Sequence, residues 1–130
     1  MSDSLIFCTN SATQTVASGG TVNFGSVVRK FGSQLEISGG NITATGKDFY
    51  DIFANLSFTA TAGTAVISLL KDGVIIPGAQ ATITTVADTS YSVSIPAAIR
   101  DKCCCDSVIT CIISGVIATV ANASMLVQTA

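Results

Sequence analysis

Five cysteines and the absence of histidine define the metal chemistry open to this chain. Three cysteines are consecutive, Cys103, Cys104 and Cys105, and the others are Cys8 and Cys111. Zinc sites built from thiolates ordinarily use C-x2-C knuckles or added histidine, because that spacing lets two ligands face one ion. The chain has neither feature, so the sequence favours no metal site and no cofactor.

Catalysis by a thiol also lacks its usual partners. Without histidine no Ser-His-Asp or Cys-His pair can form, and a cysteine nucleophile would have to find its base in Lys102 or Asp106. We therefore predict that the protein is not an enzyme. The residues alone favour Cys111 as a small core side chain and the Cys103–Cys105 triplet as a reduced loop.

Two carboxylates raise the separate question of calcium. Asp48 and Asp51 flank the aromatic pair Phe49-Tyr50, and oxygen ligands suit calcium. Two carboxylates without a glycine-anchored loop are more typical of a solvated strand edge, which is the interpretation we favour.

The composition indicates one domain with a protein partner. The chain has 130 residues, of which 48% are hydrophobic and 11% are charged. An ordinary soluble domain is about 25% charged, so some apolar surface is expected to meet another chain. The net charge of −2 provides no basic stripe for phosphates, and nucleic acid is not an expected partner.

The hydropathy pattern predicts no membrane insertion. The richest apolar run, Val108–Val120, contains Thr110, Ser114, Gly115 and Thr119 and is shorter than the roughly 20 residues of a spanning helix. The amino terminus lacks a cationic segment followed by an apolar one, so we expect no signal peptide and synthesis in the cytoplasm.

Alternating apolar residues predict strands along most of the chain. The clearest cases are Tyr50–Phe58, Ala65–Leu69 and Ser90–Ile95, with Lys71-Asp72-Gly73 and Ser38-Gly39-Gly40 as hairpin turns. About nine or ten short strands at regular spacing indicate an all-β antiparallel sandwich or barrel.

Two segments depart from this strand pattern. Residues 1–20 are rich in Ser, Thr, Asn and Gly near their end and are predicted to form an extended arm before a domain at residues 21–130. Helix is expected only as one turn near residues 97–102.

Two predicted strands are apolar on both faces. In the first strand, Phe49 and Phe53 alternate with Tyr50 and Ile52. In the second strand, one face carries Val108, Thr110 and Ile112, and the other carries Ile109, Cys111 and Ile113. A strand that is apolar on both faces needs two surfaces to pack against, and in a small sandwich the second is most simply a neighbouring subunit. These five residues form the predicted subunit interface.

Three consecutive segments carry a family resemblance. FYDIFANLSF, ISLLKDG and VIIPGAQATI, in this order, resemble the head domains of bacterial collagen-like exosporium glycoproteins, which belong to the tumour-necrosis-factor (TNF) and complement-type jelly-roll superfamily. The similarity spans Thr21 to Ala130. Tyr50 and Ile52 match the aromatic strand, and Gly73, Pro77 and Gly78 match the hairpin and the following turn.

The resemblance implies a ten-stranded, two-sheet jelly roll that assembles as a homotrimer. It also implies that the first and last strands lie close together, which makes a disulfide between Cys8 and one of Cys103, Cys104 and Cys105 the alternative to a reduced triplet. The chain departs from the pattern by inserting Lys47-Asp48 and by lacking a Gly-X-Y collagen repeat. A stand-alone trimeric jelly roll is equally what a phage capsid decoration, head-fibre or tail-tip protein looks like.

These features predict a non-enzymatic, homotrimeric structural or attachment protein on a phage particle or a spore. Its partners would be itself, other virion or spore-coat proteins, or a surface glycan or receptor. The alternative is a soluble trimeric module of the same fold that binds a ligand or glycan with avidity.

Overall fold

Twelve strands form the structure, a computed structural model that describes residues 4–45, 48–101 and 106–129. Their bounds are β1 Leu5–Asn10, β2 Gln14–Val16, β3 Gly20–Thr21, β4 Ser26–Phe31, β5 Leu35–Ser38, β6 Asn41–Ala44, β7 Asp48–Ala60, β8 Gly63–Lys71, β9 Val74–Thr85, β10 Ser90–Asp101, β11 Ser107–Ser114 and β12 Ala118–Thr129.

The strands make two antiparallel sheets of six strands each. The first sheet has the order β10-β7-β12-β1-β4, with β2 beside β12, and the second has the order β5-β6-β11-β8-β9, with β3 beside β11. The predicted all-β two-sheet sandwich is therefore confirmed. The described residues form twelve strands instead of about nine or ten because β1 and β2 lie in the segment predicted as an arm and β3 has only two residues.

The core lies between the sheets and follows the predicted alternation. On β7 the side chains of Tyr50, Ile52, Ala54, Leu56 and Phe58 are all buried. They meet inward side chains of the second sheet, including Ile67, Leu69 and Ile109. Burial of this apolar area at roughly 25 cal/mol per Å² is the main force that holds the two sheets together.

The predicted tight turns are confirmed at two hairpins. Asp72 and Gly73 join β8 to β9 with φ angles of 52° and 82°, and Gly39 and Gly40 join β5 to β6 with φ angles of 60° and 82°. Two consecutive positive φ angles give the local twist that suits a two-residue hairpin.

Pro77-Gly78, matched by the resemblance to a turn, lies within β9. The pairing of β8 with β9 shifts from Leu70 opposite Ile75 to Ser68 opposite Gln80, so the segment between them bulges from the ladder. A bulge accommodates a proline because its nitrogen has no proton for the ladder.

The predicted helical turn near residues 97–102 is wrong for the described part of that range. β10 continues to Asp101 and pairs with β7 along its whole length. Ile95 and Ile99 are buried on the inner face, and this burial with the β7 ladder outweighs the local helix propensity of the Ala-Ala-Ile-Arg segment. Within the described ranges there is no helix, and so none long and apolar enough to cross a membrane.

The amino-terminal segment contributes strands to the first sheet. β1 lies between β12 and β4, and β2 pairs with β12. Both strands fall within residues 1–20, the range predicted as an arm. Ile6 and Cys8 on β1 are fully buried, so this part of the chain completes the core.

Candidate functional site

The outer face of the first sheet carries the largest exposed apolar side chains of β7. Phe49 and Phe53 are 58% and 43% exposed, whereas Tyr50 and Ile52 between them are buried. Strand geometry sends successive side chains to opposite faces, so the two phenylalanines point away from the core.

The strand register extends this apolar surface across the sheet. Phe53 lies opposite Pro96 of β10 and opposite Leu126 of β12, and Leu126 lies opposite Phe7 of β1. Directly opposed residues share a sheet face, so these four side chains form a row, which we call the apolar row.

A second row lies beside the apolar row. It contains Asp51 and Gln128, followed by Leu5 on β1 and Phe31 on β4, and Phe31 is 66% exposed. Leu5, Phe31 and Gln128 also line an open cavity of about 230 Å³. Apolar side chains exposed together in this way are typical of a protein interface.

The same sheet face becomes polar toward the other end of β7. Asn55 Oδ1 accepts a hydrogen bond from Ser94 Oγ at 2.5 Å, and the hydroxyls of Ser57 and Ser92 lie 3.4 Å apart. The face is thus divided along the strands into an apolar half and a half of small hydroxyl and amide side chains.

Three residues of the predicted interface lie on the other sheet. Val108, Thr110 and Ile112 are on the outer face of β11, where Val108 is exposed and the other two are half-buried. The structure brings Phe49 and Phe53 together on one strand, but it places them and the β11 residues on the outer faces of different sheets.

The two cysteines that the structure describes are buried free thiols. Cys8 and Cys111 both point into the core and are fully inaccessible. Burial raises the pKa of the Cys8 thiol to about 11 and that of Cys111 to about 12, because the thiolate would lose its hydration. Both are protonated at neutral pH and unsuited to nucleophilic attack. Cys103, Cys104 and Cys105 lie outside the described residues.

The residues weighed as metal ligands do not gather into a site in the described part of the chain. No three His, Cys, Asp or Glu side chains there lie close enough to hold one ion. Asp51 lies half-buried on the outer face of the first sheet, between Ala98 and Gln128.

Sequence reasoning missed Leu5, Phe7, Phe31, Pro96 and Leu126 as members of the candidate interface. A signal was present, because Leu5 and Phe7 alternate with the buried Ile6 and Cys8, and Leu126 lies between the buried Met125 and Val127. These strands are therefore apolar on both faces, as β7 is. Only the pairing order shows that they share a face with Phe53.

Comparison with known proteins gives structural matches alone. No protein-family model and no curated protein sequence matches the chain. Among solved structures, the globular domain of zebrafish complement 1qA protein has a TM-score of 0.71 at 13% identity, and the match covers 98% of this chain and 96% of that chain. Eiger TNF from S. frugiperda has a TM-score of 0.69 at 9% identity, covering 98% and 91% of the two chains.

A third match is the PRD1 vertex protein P5. It has a TM-score of 0.53 at 10% identity, covering 97% of this chain and 96% of that chain. At identities this low the similarity is one of fold, and fold does not by itself define function. The chain has the jelly-roll fold of the TNF and complement 1q globular domains.

Proposed function

We propose that this protein is a non-enzymatic, homotrimeric jelly-roll protein that serves as a structural or attachment component on a phage particle or a bacterial spore. The observation that carries the proposal is the apolar row, in which Phe53, Leu126 and Phe7 lie side by side on an outer sheet face. Such a surface is stabilised when a second protein surface covers it.

The physical argument for self-association begins with the composition. With 11% charged residues the chain has few charges to place on its surface, and the apolar row adds exposed hydrophobic area. Covering such area releases roughly 25 cal/mol per Å², part of which offsets the entropy lost on association. A threefold arrangement is what the family resemblance implies.

A non-enzymatic role is supported by the state of the described thiols. Cys8 and Cys111 are buried, and burial raises the pKa of each thiol. The sequence has no histidine to serve as their base. What remains is a rigid sandwich with an apolar face, which suits assembly and display better than catalysis.

The particle-surface setting is supported by two likenesses of different kinds. The sequence segments resemble exosporium head domains, and the fold matches a protein whose name describes a vertex component. Neighbouring genes for capsid or tail proteins would favour a virion component, whereas sporulation or collagen-like genes would favour a spore.

The direct test is the solution mass of the purified protein, measured by light scattering with and without reductant. We expect a mass near three times 13.2 kDa in both conditions. Loss of that mass on reduction would assign the cysteines to the assembly. A stable monomer would contradict the homotrimer.

A second candidate function is a soluble ligand- or glycan-binding module of the same fold. It is favoured by an open cavity of about 290 Å³ that lies apart from the apolar row and carries two cationic side chains. A trimer would give such a site avidity, because several weak contacts act together on one particle or surface.

A further inference from the structure

A cavity lies where the edges of the two sheets meet. β9 is the outermost strand of the second sheet and β10 is the outermost strand of the first. Between them is an open space of about 290 Å³, lined by Lys71, Val74, Ile75, Ile76, Pro77, Ala98, Ile99 and Arg100. This volume is at the lower end of the ~300–1,000 Å³ of ligand pockets, so it suits a small molecule.

The walls of the cavity are mainly apolar. Val74 and Ile75 at the start of β9 are 69% and 44% exposed, although both are large aliphatic residues. Pro77 lies in the β9 bulge and also lines the cavity. An apolar chain that displaced water from these side chains would gain hydrophobic free energy.

Two cations are the charged side chains of the lining. Lys71 Nζ donates a hydrogen bond to the backbone carbonyl oxygen of Arg100 at 2.7 Å, which connects the end of β8 in the second sheet to β10 in the first. The Arg100 guanidinium lies over the ring of Phe49, 5.4 Å from its centroid. Among the lining residues that the structure describes, none is acidic.

Neither cation is neutralised within the described residues. The ion pair found in those ranges joins Lys30 to Glu36, on β4 and β5. The Lys71 ammonium has two further protons beyond the one given to Arg100, and a guanidinium carries five N–H donors. Both groups therefore retain donors for an anion.

We propose that this cavity binds a small organic anion that has a short apolar chain, such as a medium-chain carboxylate. The carboxylate would accept charge-assisted hydrogen bonds from Lys71 and Arg100, and the chain would lie against Val74 and Ile75. One chain supplies every lining residue that the structure describes, and Arg100 also contacts Phe49, a residue of the predicted subunit interface.

The test is a titration of the protein, in its native oligomeric state, followed by two-dimensional NMR of the backbone amides. Octanoate is the probe, acetate retains the charge without the chain, and octan-1-ol retains the chain without the charge. We expect saturable shifts at Val74, Ile75 and Arg100 with octanoate, with a dissociation constant on the order of a millimolar for so small a ligand. Acetate and octanol should bind at least about tenfold more weakly.

Two variants and one matched control locate the site. Arg100→Gln and Lys71→Met should each weaken octanoate binding about tenfold, since each removes a charge-assisted hydrogen bond. Arg29→Gln removes one cation from the exposed edge strand β4 and should change binding less than about twofold. Amide spectra without ligand establish that each variant is folded.

Three results would overturn the proposal. Octanoate would have no saturable effect at the β9 and β10 amides, octanol would bind as well as octanoate, or Arg29→Gln would weaken binding as much as Arg100→Gln. Equal loss in the control would assign the binding to net charge instead of to this cavity.

Discussion

Phe53 on β7 and Leu126 on β12 lie directly opposite each other on the outer face of the first sheet. Each is flanked along its own strand by buried residues, Ile52 and Ala54 for the first and Met125 and Val127 for the second. The two strands therefore present apolar side chains both to the core and to the exterior. This pair is the centre of the surface that we propose to be covered in the assembly.

The first prediction concerns that surface. Phe53→Asp should convert the assembly to monomers, because a carboxylate buried against apolar side chains has a desolvation cost of several kcal/mol. The measurement is the solution mass by light scattering.

Ser92→Asp is the matched control for this prediction. Ser92 is exposed in the polar half of the same sheet face, and its change should leave the assembly intact. Equal tolerance of the two variants would contradict an interface centred on Phe53.

The second prediction concerns the core. Val127 is fully buried on β12, opposite Ile6 of β1 and Ile52 of β7. Val127→Ala should lower the free energy of unfolding by about 1–3 kcal/mol, because it removes buried methyl groups and leaves a cavity. Urea denaturation measures the change.

Val86→Ala makes the same chemical change at a side chain that is 60% exposed, and it should alter stability by less than about 0.5 kcal/mol. Similar losses in the two variants would show that β12 is not in the core.

The third prediction is a pH dependence from a buried thiol. Burial raises the pKa of Cys111 from 9.0 to about 12, so its contribution to stability is complete below pH 9 and is lost as the pH rises toward 12. At pH 10 the unfolded chain ionises this thiol while the folded protein does not, which lowers the free energy of unfolding by roughly 1 kcal/mol.

The measurement compares urea denaturation at pH 8 and pH 10, in reductant, for the protein and for Cys111→Ala. Between the two pH values the free energy of unfolding should fall by roughly 1 kcal/mol less in the variant, since the other titrating groups are common to both proteins. Identical pH dependence would mean that the Cys111 thiol is hydrated in the folded state.

The fourth prediction compares two glycines that both have positive φ angles. Gly73 and Gly115 have φ angles of 82° and 87°. A Cβ on Gly73 would meet no atom within 4 Å, whereas a Cβ on Gly115 would collide with the backbone carbonyl oxygen of Thr64.

Gly73→Ala should therefore lower the free energy of unfolding by only about 1–2 kcal/mol, because alanine is strained in the left-handed backbone conformation. Gly115→Ala should cost at least about 1 kcal/mol more, because the β8 backbone must move. Thermal and urea unfolding of the two variants provide the measurement, and equal losses would contradict the close approach of Gly115 to Thr64.

Much of the candidate site was accessible from local pattern. Alternation of Phe49 and Phe53 with Tyr50 and Ile52 was visible in the sequence, and the structure places the two pairs on opposite faces of β7. The same rule found Val108, Thr110 and Ile112, which are on the other sheet. Alternation assigns residues to the two faces of one strand, but it gives no information about which strands lie side by side.

The sequence by itself determined the all-β class, the two glycine hairpins and the inward face of β7, because each follows from steric preferences or from period-two burial within one segment. The tertiary structure alone decided that β1 joins the first sheet, that β10 stays extended to Asp101, and that Lys71 of the second sheet meets Arg100 of the first. These depend on pairing between residues far apart in the chain, since a strand's ladder and its burial are supplied by its neighbours and not by its own residues.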